Sequence, residues 1–93
     1  MDLKYGKSQR GFGWVEFEDR YGVTCTIQNS SLATEEAIWF GPNEPNPRVL
    51  RHGRWEPVTL PEGTLCDTRM HLTRETVAEL LPILQRFVKE GEI

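Results

Sequence analysis

Three guanidinium groups, Arg48, Arg51 and Arg54, fall within seven residues and run directly into the indole of Trp55. Guanidinium forks match phosphate oxygens and an indole face matches a flat base, so this spacing fits nucleotide recognition. A second group is the alternating run Asp67, Arg69 and His71. Alternate residues of one strand project from one face, which would hold an acid, a cation and a titratable imidazole together. Ser30, Ser31 and Thr34 make a third group, because hydroxyls and free backbone amides in a loop bind anions. Each group also has a plain structural reading: exposed arginines on a hairpin, a solvated strand face, and a turn or helix cap.

Catalysis has less support. Glu35 and Glu36 are adjacent, so on a strand they point to opposite faces and do not form a carboxylate dyad. No Gly-x-Ser-x-Gly elbow, HExxH helix, P-loop or dinucleotide fingerprint is present. His71 is the one attractive general base, with no nucleophile or oxyanion donor assigned beside it. The reading is therefore non-enzymatic, with no catalytic residue and no cofactor. Cys25 and Cys66 lie far apart with neither CxxC spacing nor a histidine at metal spacing, so no metal site is expected and both read as free buried thiols.

These residues need elements to position them. A chain of 93 residues supports one core and one domain. Its 38% hydrophobic and 27% mixed charged content is that of a folding chain. The net charge of -3 disfavours non-specific nucleic-acid binding, since a phosphate backbone repels it. No apolar run has the length of about 20 residues that spans a bilayer, and residues 1–10 lack the apolar centre of a signal peptide, so a soluble cytoplasmic protein is expected.

Residues 1–10 read as a loosely held terminal segment. Phe12 to Phe17 and Val23 to Gln28 read as strands joined by a turn over 18–22, the second with strict alternation of Val23, Cys25 and Ile27 against Thr24, Thr26 and Gln28. Ala37 to Gly41 predicts a third strand carrying Trp39, and the proline-rich stretch 42–48 predicts a loop. A hairpin follows with His52 and Gly53 at its tip, then a strand over 66–72. From Thr73 the period changes: Val77, Leu80, Leu81, Leu84, Phe87 and Val88 build one apolar stripe, predicting a helix over 73–90 with Thr73 as N-cap, Gly91 as its stop and Pro82 inside it. The fold class is α+β, a small antiparallel sheet of about four to six short strands packed by one C-terminal amphipathic helix. The stripe is wider than one small sheet needs, so a homo-oligomer is expected.

Two blocks, "FEDRYGVTCTIQNSSLATEEAIWFG" at 17–41 and "RMHLTRETVAELLPILQRFVKEGEI" at 69–93, resemble a family of small proteins encoded in bacteriophages and prophages. The resemblance rests on Tyr21, Gly22, Cys25, Ile27, Gln28, Ser30, Ser31, Leu32, Ala33, Thr34, Ile38 and Trp39, with Met70, His71, Leu72 and the helix; segment 42–63 takes no part in it. It implies a phage accessory protein in the host bacterial cytoplasm. The expected function is counter-defence, by sequestering a nucleotide-type signal or blocking a host defence protein. In the nucleotide version Arg48, Arg51, Arg54, Arg69 or His71, with Trp39 or Trp55, lines a pocket near the Ser30–Thr34 loop. The alternative is a structural or regulatory phage protein that acts only through protein contacts.

Overall fold

The structure is a computed structural model that describes residues 1–93. Strands β1 (Lys4–Lys7), β2 (Gly13–Glu18), β3 (Thr24–Asn29) and β4 (Ala37–Pro42) form an antiparallel meander. The hairpin β5 (Arg48–Arg51) and β6 (Arg54–Pro57) is a separate two-stranded sheet. The chain then returns as β7 (Met70–Thr73) against β4, giving a five-stranded sheet of order β1-β2-β3-β4-β7, and leaves as the helix α1 (Arg74–Glu90). The class is α+β, as the change from period two to period 3.6 predicts.

Local chemistry explains the turns. Asp19 closes the β2–β3 hairpin: its Oδ1 accepts from the backbone N–H of Tyr21 at 2.8 Å and of Val23 at 2.9 Å. At the β5–β6 tip His52 and Gly53 both have positive φ, 50° and 73°, the signature of the tight turn whose twist suits paired strands. Thr73 caps α1, its hydroxyl accepting from the Thr76 N–H at 3.1 Å. Gly91 ends the helix in the left-handed region and returns its N–H to the Phe87 carbonyl at 2.8 Å. Pro82 lies within an otherwise continuous helix.

Two elements differ from expectation. Lys4–Lys7, expected within a loosely held terminus, pairs with Gly13–Glu16 as an edge strand. Four residues rich in lysine give no apolar period to read, yet short charged strands are what sheet edges favour. The last strand starts at Met70 rather than Cys66. Upstream of it Thr68 and Arg69 pass directly over Gly41, where a β-carbon would stand 2.8 Å from the Thr68 carbonyl oxygen and 3.0 Å from the Arg69 Cα. Gly41 has φ of 148°, so both its conformation and this approach require glycine.

The register sorts the sheet into two faces. Val15, Phe17, Cys25, Ile27, Ile38, Phe40 and Leu72 share the apolar one, with Phe17 edge-on to Phe40 at 6.3 Å between ring centroids. Trp14, Gln28, Trp39 and His71 form one cross-strand row on the other. The helix packs against the sheet through its first turn, where Thr76 and Val77 are half-buried, while the residues from Ala78 onward are exposed. Full burial is confined to Cys25, Thr26 and Ala37.

Candidate functional site

The row Trp14–Gln28–Trp39–His71 sits on four neighbouring strands because each residue is the register partner of the next. Trp39 and His71 stack, ring centroids 4.0 Å apart and planes 13° from parallel. His71 Nε2 lies 2.9 Å from Ser30 Oγ, which fixes the imidazole edge against the loop that precedes β4. Trp14 leans the other way, over Gly6 of β1, where an added β-carbon would fall inside its ring. Gly6 is thus the space that the Trp14 indole occupies.

Arg69 enters this face from the segment that crosses Gly41. Its guanidinium donates to Gln28 Oε1 at 3.1 Å and stands 5.8 Å from the centre of the Trp39 ring, within cation–π range. No carboxylate pairs with it; the ion pairs of the molecule are Arg74–Glu36, Arg86–Glu90 and Arg86–Glu92. Across a cleft of about 400 Å³ stands Arg10, 5.4 Å from the centre of the Phe12 ring and likewise without an acidic partner. Ser8, Gln9, Gln28, Asn29 and Ser31 complete the lining with Trp39 and Phe12. The cleft holds two cations, two aromatic rings, three side-chain amides and two hydroxyls, and no acid.

The other two large clefts differ in character. One, of about 630 Å³, is lined by four acids, Asp2, Glu16, Glu18 and Asp19, against two bases, Lys4 and Arg20, so acids predominate there as they do not in the Arg10–Arg69 cleft. The other, of about 640 Å³, is mostly apolar and lies between the first turn of α1 and the ends of β3 and β4. Glu35 and Glu36 both border it, but Glu36 is engaged with Arg74 at 2.8 Å and no dyad forms.

Of the residues singled out by sequence, the structure brings together Ser30, Ser31, Trp39, Arg69 and His71. Thr34 is exposed and makes no side-chain hydrogen bond. Arg48, Arg51, Arg54 and Trp55 lie on the separate β5–β6 hairpin and border none of these clefts, so they do not share a site with the Ser30–Thr34 loop. Asp67 stands outside β7 and carries no bond to Arg69 or His71. Arg10, Phe12, Trp14 and Gln28 were not legible as site residues. Gln28 is visible only as the polar half of an alternating strand, and its place beside Trp39 and Arg69 depends on strand pairing.

No group of histidine, cysteine or acidic side chains is placed to hold a metal ion. Burial, and then the charge of Asp19, push the Cys25 thiol up from its ordinary value; Cys66 is half-buried, and the two cysteines are unpaired. No helix is long and apolar enough to cross a membrane. Comparison with family models, curated proteins and solved structures finds no match.

Proposed function

We propose that the protein is a non-enzymatic binding protein whose ligand is a nucleotide-type molecule, an aromatic ring carrying phosphate, held in the cleft between Arg10 and Arg69. One observation carries the reading: in a chain of net charge -3, this cleft is free of acids and holds two unpaired arginines, each beside an aromatic ring. Phosphate oxygens would take the guanidinium forks, a base would lie against Phe12 or Trp39, and Gln28 and Asn29 would meet its polar edge. Sequestration of such a ligand accords with the phage counter-defence role that the family resemblance implies.

Ser30 and His71 stand at the distance of a nucleophile and its base. What speaks for a structural pair is that the Ser30 hydroxyl also accepts from the Leu32 N–H at 3.2 Å, as in a turn, and that no carboxylate orients the far side of the imidazole. Calorimetric titration with linear and cyclic mono- and dinucleotides tests the proposal. Binding by at least one of them, weakened about tenfold or more in Arg69→Ala, is the expected result. No heat with any of them would remove the nucleotide reading and favour a protein that works through protein contacts. Turnover of a nucleotide that vanishes in His71→Ala would overturn the non-enzymatic part.

A further inference from the structure

Opposite the candidate site, the second face of the sheet is apolar and open. The registers set Tyr5, Val15, Ile27, Phe40 and Met70 side by side in one row across all five strands. Tyr5 and Met70 are exposed, the three between them are only half-buried, and no large side chain anywhere in the chain is fully buried. The helix of the same chain does not close this face. It packs chiefly on β7, the strand it grows from, and leaves Leu80, Leu84, Phe87 and Val88 exposed, Phe87 by 54% and Val88 by 85%.

The surface area shows how much is uncovered. A folded monomer of this mass exposes roughly 5,500 Å², whereas this chain exposes 8235 Å². The excess, about 2,700 Å² per chain, includes the separate β5–β6 hairpin and still leaves room for the roughly 1,000–2,500 Å² that each protomer buries in an obligate homodimer. The radius of gyration agrees: 16.3 Å, against about 12 Å for a compact domain of this length.

We propose that the protein is a homodimer in which α1 of each copy lies on the apolar sheet face of the other. Both halves of that interface are present on one chain, so a two-fold exchange covers sheet and stripe together in each copy. A foreign partner would have to cover two separate apolar surfaces at once. The dimensions fit. From Val77 to Val88 the stripe runs about 17 Å at the helical rise, and the row from Tyr5 to Met70 spans about 19 Å at the usual strand spacing. The Arg10–Arg69 cleft is on the opposite face and remains open in this arrangement.

Sedimentation equilibrium on the full chain at micromolar concentration should give twice the 10.7 kDa chain mass; a monomer would overturn the proposal. Phe87→Asp should raise the dimer dissociation constant on the order of a hundredfold, the effect of losing an aromatic anchor at an interface. An unchanged constant would count against the helix. Arg69→Ala, on the other face, should leave the mass unaltered whether or not it affects ligand binding. Because Phe87→Asp risks unfolding, the arrangement is read in the native chain from intermolecular NMR contacts between differently labelled copies. Contacts from the methyls of Leu80, Leu84 and Val88 to Val15, Ile27 and Phe40 are expected, and a dimer with helix-to-helix contacts alone would overturn the exchange.

Discussion

At the scale of single residues, the site depends on side chains that the backbone brings into register. Arg69 reaches Gln28 and Trp39 because its backbone crosses Gly41 with no β-carbon in the way. Gly41→Ala should therefore displace Arg69 as well as strain a positive φ, and calorimetry should show ligand binding falling as far as in Arg69→Ala. The cysteines separate by environment. Cys25 is buried with its pKa raised, so a thiol reagent at neutral pH should label Cys66 faster and reach Cys25 only as the chain opens. The same shift has a consequence for stability. As pH climbs past the ordinary thiol value of about 9, the unfolded chain releases a proton that the folded chain keeps, and stability falls. Below that value the group contributes no pH dependence. Urea midpoints at pH 7.5 and 10 should show a smaller alkaline loss in Cys25→Ala than in the parent.

At the scale of elements, α1 is the least supported by packing and the most dependent on its own caps. Thr73 satisfies the Thr76 N–H, so Thr73→Ala should cost about 1 kcal/mol. Pro82 has no N–H for the carbonyl one turn earlier and crowds that turn; relieving both in Pro82→Ala should stabilise the helix by up to about 3 kcal/mol. Opposite shifts of the thermal midpoint in the two variants are the expected result. The β5–β6 hairpin stands apart for a different reason. Its only partnership is internal, with Leu50 paired to Trp55 and both exposed, so its three arginines are displayed to solvent away from the cleft. The exposed Arg74–Glu36 pair at the start of α1 adds little, because solvent screens it.

At the scale of the whole molecule, the two faces of one sheet differ in chemistry. The polar face carries the aromatic row and the acid-free cleft; the apolar face and the helix stripe carry the surface that a second copy would cover. If dimerisation completes the core, stability should depend on protein concentration, and the thermal midpoint should rise on going from 1 to 100 μM chain. A midpoint independent of concentration would mean that the single chain is stable with its apolar face open.

The sequence by itself determined the α+β class, the β2–β3 and β5–β6 turns, the strand pattern of β3 and β4, and the capped helix. These are local matters: an Asp that bonds the amides of its own turn, a His-Gly tip, a period of two that becomes 3.6 after Thr73. It also marked Ser30, Ser31, Trp39, Arg69 and His71 as chemistry-bearing, because residue type and exposure pattern are written along the chain. Tertiary structure alone decided that Arg69 and His71 meet Trp39 while Arg48, Arg51, Arg54 and Trp55 do not, and that Arg10, Phe12 and Gln28 join the cleft. Those outcomes follow from strand register and from the close crossing at Gly41, which join residues as far apart as Gln28 and Arg69 and which no local period encodes.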